Sequence, residues 1–143
     1  MNYKLVNASN DNYDTLVKYK LATVLEYATN LEQEELDKIC NYVNNEVKEQ
    51  LNNYKLIVVD ETIVGCLLVK DYDNGVLLDE IFIEENCRNF GIGTQILNNV
   101  LSENNIVYLY VYKENAKAYK LYVKMGFVII LETDTRYFMK YEK

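Results

Sequence analysis

Apolar positions along this chain recur in two rhythms, and the changes of rhythm mark the elements. One rhythm repeats every two residues and the other at helical spacing. "YKLVNA" alternates and predicts a short first strand. In "SNDNYDTLVKYKLATVLEYA" the positions Leu16, Tyr19, Lys20, Thr23, Val24 and Tyr27 recur at helical spacing, with Ser9, Asn10 and Asp11 as capping candidates. "TNLEQEELDKICNYVNNEVKEQL" predicts a second helix on the stripe Leu36, Ile39, Cys40, Val43 and Val47. Glu32, Glu34 and Glu35 stand near its start, where the helix dipole favours negative charge. "YKLIVVD" and "IVGCLLVKDY", joined through "ET", predict a hairpin, and "DNG" turns the chain into a fourth strand, "VLLDEIFI". "GIGTQILNNVLSENN" then reads as a helix with Ile92, Ile96, Leu97, Val100 and Leu101 inward. "IVYLYVY" is apolar on both faces, which predicts a central strand covered by helices on each side, with Tyr108, Tyr110 and Tyr112 in its packing. "NAKAYKLYVKMG" is a helix capped by Asn115 and closed by Gly126, and "FVIIL" and "RYFMKY" are the last strands.

The order β-α-α-β-β-β-α-β-α-β-β contains no repeat, no low-complexity linker and no break in composition. It predicts one α/β (α+β) domain over 1–143, with parallel and antiparallel neighbours in one sheet. The 143 residues suffice for a core, and 50% hydrophobic with 26% charged residues is ordinary for a soluble globular protein. No apolar run reaches the length of a membrane span and the first residues lack the pattern of a signal peptide, so a cytoplasmic protein is expected.

Composition narrows the chemistry. There is no histidine, which removes the usual general base, the usual zinc ligand and every Ser-His or Cys-His pair. The three cysteines, Cys40, Cys66 and Cys87, have neither metal-ligand spacing nor a disulfide framework, so no metal is expected. A net charge of −7 argues against nucleic acid and is compatible with a cationic small substrate.

The stretch "CRNFGIGTQIL" uses two of only five glycines between a strand and a helix. The first amides of a helix have no backbone partner and the dipole adds partial positive charge, so such a junction can hold a phosphate. Arg88, Gly91, Gly93 and Thr94 fit this use. A Walker A loop is excluded, because Thr94 and Gln95 follow Gly93 where lysine and Ser/Thr are required. A dinucleotide fingerprint is excluded because Ile96 stands at its third glycine. A plain tight connection fits the glycine pair equally well.

The later stretch "NAKAYKLYVKMGF" separates these readings. With it, the chain resembles the GNAT superfamily of acyl-CoA-dependent N-acyltransferases. Arg88, Gly91 and Gly93 match the family's [Q/R]-x-x-G-x-[G/A] motif after the fourth strand. Asn115, Ala118, Leu121, Tyr122, Gly126 and Phe127 match the motif after the fifth. The resemblance implies a mixed, mostly antiparallel sheet of about seven strands, its fourth and fifth splayed around the arm of acetyl-CoA. It implies that Ile81, Phe82 and Ile83 bond that arm through their backbone. The pyrophosphate would rest on the amides of Arg88, Asn89, Phe90, Gly91, Ile92, Gly93 and Thr94, and Asn115 and Tyr122 would contact the coenzyme. The expected reaction is direct transfer of an acetyl group to a primary amine of a small molecule or peptide. Tyr122 would protonate the departing thiolate, and Glu80, or water, would act as base.

Without the motif, Tyr122 reads as a packing residue on the stripe Ala118, Leu121, Tyr122 and Met125, and Asn115 as a helix cap. In such enzymes the first two helices and the last hairpin build the acceptor site. Here those segments are acidic, and Glu26, Tyr27, Glu80 and Glu132 are the candidates for a cationic amine. Family members are often homodimers. Two alternatives stay open: a module that binds acyl-CoA without turnover, and an interaction domain that binds none.

Overall fold

The elements follow the expected order. The structure, a computed structural model, covers every residue from Met1 to Lys143. The strands are β1 (Lys4–Asn7), β2 (Tyr54–Val59), β3 (Thr62–Tyr72), β4 (Gly75–Ile83), β5 (Ile106–Tyr112), β6 (Val128–Glu132) and β7 (Arg136–Glu142). The helices are α1 (Tyr13–Leu25), α2 (Gln33–Gln50), α3 (Ile92–Glu103) and α4 (Ala116–Lys124). The strands bond in the order β1-β2-β3-β4-β5-β7-β6. The β4–β5 pair is parallel, while β1–β2, β2–β3, β5–β7 and β6–β7 are antiparallel. A parallel neighbour needs a long crossover, and α3 supplies it. The β4–β5 ladder holds two pairs, Val76↔Val107 and Leu77↔Tyr108, so pairing with β5 ends at Leu77.

By its contacts the chain divides into two units, residues 1–68 with 80–92 and residues 69–79 with 93–143. In the first unit, α1 and α2 lay their apolar stripes on the β2–β3 hairpin. Leu16, Tyr19, Val43, Val47, Tyr54, Leu56, Val58, Cys66 and Leu68 form its core. Each such Leu or Val contributes about 1.5–3 kcal/mol by leaving water. Helix α1 starts later than its capping signals predict, because Asn10–Asn12 form a single 3-10 turn. There the Ser9 amide donates to Asn12 Oδ1 at 2.9 Å. The hairpin turns at Asp60 and Glu61, one residue before the predicted "ET". Both residues are left-handed, as a two-residue turn between twisted strands requires.

In the second unit, β5 pairs with β7 along its whole length, from Ile106↔Glu142 to Tyr112↔Arg136. Val107, Leu109 and Val111 are buried, as expected of an interior strand. The tyrosine face differs from the expectation of helices on both sides. Tyr110 is 41% exposed, tilted against Phe138 with ring centroids 4.4 Å apart and capped by the Arg136 guanidinium at 4.6 Å. Tyr108 is buried against Phe138 and donates to Asn74 Oδ1 at 2.6 Å. Aromatic and cationic side chains cover this face where the rhythm predicted helices. Strand β6 ends the sheet, and Val128, Ile129, Ile130 and Leu131 are all exposed on it.

Candidate active site

The glycine-bearing connection is built from left-handed residues. Asn89 (φ 68) and Gly91 (φ 85) turn the chain after β4, and α3 starts at Ile92. Gly91 is thus the turn residue, while Gly93 lies inside the first turn of α3. The sequence had put both in the turn. No turn or cap bond occupies the amides of Gly91, Ile92, Gly93 or Thr94. These amides, with the dipole behind them and no Cβ at two of the four, suit an anionic group such as a pyrophosphate. Arg88 is exposed and tied down locally. Its Nε donates to the Ile83 carbonyl at 2.7 Å, and its guanidinium lies 5.4 Å from the centre of the Phe82 ring. Phe90 is exposed, and Cys87 is buried beside the turn.

The second half of β4 carries the candidate base. Glu80 is not a surface charge: it is 4% exposed, and Lys20, 6% exposed, lies 3.5 Å from its Oε1. The Tyr54 hydroxyl donates to Oε1 at 2.8 Å and the Cys66 thiol to Oε2 at 3.0 Å. Burial and the Glu80 carboxylate push the Cys66 thiol far above the ordinary range. Asp79 turns the other way, as the strand's period of two requires, and pairs with Lys70 at 3.4 Å. Ile81, Phe82 and Ile83 are half-buried at the end of the strand.

Beside this strand end the first unit holds a cavity of about 340 Å³, lined by Tyr19, Ala22, Glu26, Phe82, Glu84 and Arg88 among others. Tyr19 stacks on Phe82, with ring centroids 4.7 Å apart, and donates from its hydroxyl to Glu84 Oε2 at 2.8 Å. Burial, and then the Glu84 contact, push the Tyr19 phenol well above its ordinary value. Of the acceptor candidates, Glu26 lines this cavity, Tyr27 follows α1 half-buried and Glu80 lies in the core of the unit. Glu132 sits on β6 in the second unit, paired with Lys113 at 2.7 Å. Lys20, Tyr54 and Glu84 were not singled out from sequence. Their signal is a charge or hydroxyl on an otherwise apolar stripe, which Lys20 on α1 shows most clearly.

In the second unit, Asn115 caps α4, its Oδ1 accepting from the Ala118 amide at 3.2 Å. The helix ends at Gly126, with φ 106. The Gly126 amide donates to the Val123 carbonyl at 3.1 Å and the Phe127 amide to the Tyr122 carbonyl at 3.0 Å. This is a Schellman end, and its usual apolar contact is the pair Tyr122–Phe127, with ring centroids 5.6 Å apart. The spacing Tyr122, Gly126, Phe127 is therefore helix-end geometry in its own right. Tyr122 is half-buried, and burial raises the pKa of its phenol. Its hydroxyl makes no hydrogen bond within the protein, and no wholly buried polar side-chain atom lacks a partner, so this hydroxyl retains access to solvent. No group of three acidic, Cys or His side chains is placed to hold a metal, and no helix is long and apolar enough to cross a membrane.

Residues 52–129, more than half of the chain, match the family model for the acetyltransferase (GNAT) domain. The protein belongs to the GNAT family and is an acyltransferase. No protein of curated function matches it in sequence. In fold it is similar to the PaiA N-acetyltransferase of Thermoplasma acidophilum, solved in complex with coenzyme A. The two share 16% identity over the whole of both chains, with a TM-score of 0.79. It is similar too to Ard1 of Thermoplasma volcanium, at 19% identity over 99% of this chain and 98% of the other, with a TM-score of 0.72. Naa50 of Arabidopsis thaliana, solved with the bisubstrate analogue CoA-Ac-MVNAL, shares 22% identity over the whole of both chains, with a TM-score of 0.64.

Proposed function

We propose that the protein transfers an acetyl group from acetyl-CoA directly to a primary amine of a small molecule or peptide. The observation that carries this reading is the left-handed turn at Asn89–Gly91 with the free amides that open α3, in a chain of this family. Those amides hold the pyrophosphate, Arg88 flanks it, the backbone of Ile81 to Ile83 bonds the pantetheine arm, and Asn115 adds a contact while capping α4. PaiA, solved with coenzyme A, and Naa50, solved with the bisubstrate analogue CoA-Ac-MVNAL, have the same fold, which supports the assignment.

Acetyl-CoA supplies the acyl group already activated as a thioester. The protein holds the acceptor, keeps water from competing and handles two protons. Tyr122 gives one to the departing sulfur: its raised pKa keeps the phenol protonated throughout the neutral range, and its hydroxyl has no competing partner. An amine with a pKa near 10 arrives as ammonium and must lose a proton before it attacks. Of the two routes, Glu80 and water, the surroundings of Glu80 favour water, since Lys20, Tyr54 and Cys66 already occupy that carboxylate. An acyl-enzyme on Cys66 is disfavoured because its thiol is buried and held protonated.

The acceptor enters the cavity beside α1, where the carboxylates of Glu26 and Glu84 suit a cationic amine. Tyr27, which follows α1, is a further candidate to shape its entry, and Glu132, on β6, is a separate candidate to attract a cationic acceptor. A panel of amines tested for thiol release with acetyl-CoA checks the reading. Turnover of cationic amines is expected, and turnover confined to neutral or anionic acceptors would overturn the substrate class.

A further inference from the structure

Arg136 opens β7 within the second unit, and acetyl transfer as read above gives it no part. Its backbone is held by the β6–β7 turn. The Arg136 amide donates to Thr133 Oγ1 at 2.9 Å, and the Arg136 carbonyl accepts from the Thr133 amide at 2.8 Å. Its guanidinium is held by a ring: it lies 4.6 Å from the centre of Tyr110, which is itself set against Phe138 at 4.4 Å. The register explains this stack. Tyr110 pairs with Phe138 and Tyr112 with Arg136, so these side chains leave the same face of the sheet.

The cations at this end of the sheet differ in what they have left to offer. Lys113 pairs with Glu132 at 2.7 Å and Lys140 with Glu142 at 3.5 Å. The Arg136 guanidinium has neither an ion pair nor a hydrogen bond within the protein, although Asp134 stands two positions away and the chain carries a net charge of −7. The Tyr110 hydroxyl also has no protein partner, and the residue is 41% exposed. A long side chain that is already fixed loses less freedom when a ligand arrives. The planar fork of a guanidinium matches the two oxygens of a carboxylate. With a single unpaired cation, the site suits the one charge of a carboxylate better than the higher charge of a phosphate.

We infer that Arg136 and Tyr110 form a binding site for a small organic carboxylate. The guanidinium takes the carboxylate, and the exposed part of the Tyr110 ring takes the apolar body that bears it. This goes beyond the acetyl-transfer reading and does not depend on it. The carboxylate has two sources: a free acid, or an acceptor that carries a carboxylate as well as its amine.

The test titrates the full chain, without coenzyme, with benzoate at physiological salt and follows binding by NMR. Benzoate should bind saturably. Benzamide, which has the same shape without the charge, should bind about tenfold more weakly or worse. Arg136→Gln should lose about tenfold or more in benzoate affinity. Arg136→Lys keeps the charge without the fork and should recover only part of it. Both variants should melt close to the wild type, because this guanidinium bonds to nothing in the protein. Absent saturation, equal benzoate affinity in Arg136→Gln and wild type, or tighter binding of inorganic phosphate than of benzoate would each overturn the inference. The source is read from KM with acetyl-CoA for lysine and for cadaverine, the same amine without the carboxylate. A lower KM for lysine that Arg136→Gln abolishes makes the acceptor the source. Equal KM values beside benzoate binding make it a free acid. If neither amine is acetylated, that counts against the acetyl-transfer reading, while the benzoate titration still decides the site.

Discussion

Tyr122 is fixed at both ends of its role. Its carbonyl and ring belong to the end of α4, while its hydroxyl is left without a protein partner. Tyr122→Phe keeps the ring contact with Phe127 and removes only the proton donor. It should therefore fold normally, bind acetyl-CoA unchanged and lose about 10²-fold or more in kcat. Because burial raises the phenol's pKa, the wild-type rate should show no alkaline loss from this group through the range in which an ordinary tyrosine titrates. A wild-type rate in the variant would show that the tyrosine merely packs. Gly91 is the other residue on which the reading depends. Its φ of 85 is one that side chains rarely adopt, and Gly91→Glu would add both strain and a negative charge beside the free amides. Calorimetry should find acetyl-CoA binding abolished, and equal affinity would refute the pyrophosphate placement.

At the scale of elements, the two ends of α4 can be perturbed separately. Asn115→Ala removes the side-chain acceptor for the Ala118 amide and should cost about 1 kcal/mol. Gly126→Ala forces a Cβ into φ 106 at the Schellman position and should cost about 1–3 kcal/mol. Both read out as lower melting temperatures. Asn115→Ala should also weaken coenzyme affinity if the side chain contacts the arm, and leave it unchanged if it only caps. Strand β6 raises a different question. It presents four consecutive exposed apolar residues on the unpaired end of the sheet, and such an edge favours strand pairing with another chain. We propose a homodimer through this edge. Sedimentation should show a dimer for the wild type and a monomer for Leu131→Lys, and a monomeric wild type would overturn it.

For the whole molecule, pH dependence follows from groups whose protonated form the fold protects. The pKa values of Cys66 and Tyr19 are raised in the folded state. A raised pKa means that the folded state holds the proton more tightly than the unfolded chain does. The stability from these groups is therefore complete below their unfolded values, near 9 for the thiol and 10 for the phenol, and is lost as pH rises beyond them. Melting temperature should hold across neutral pH and fall from about pH 9 upward. A melting temperature that stays level to pH 11 would contradict this.

How far the sequence reaches follows from the range of the interactions involved. Element order, the apolar stripes of α2 and α3, the Asn115 cap and the Gly126 stop were legible because each depends on neighbours within a turn or two. The glycine-bearing connection was legible for the same reason, although the division of labour between Gly91 and Gly93 needed the backbone dihedrals. The family was legible because its two motifs lie in local geometry, a helix start and a helix end. Glu80 stood out in the sequence as a carboxylate on the apolar strand β4. Its burial with Lys20, 60 positions away, was not legible, since no local pattern says which charge will meet which. The cover of the Tyr110 face and the contact of Glu84 with Tyr19, 65 positions away, were equally out of reach. The sequence by itself determined the elements, their order and the family, because periodicity and capping act over a few residues. Only the tertiary structure decided which carboxylate is sequestered and which faces the cavity, because burial and ion pairing are set by residues far apart in the chain.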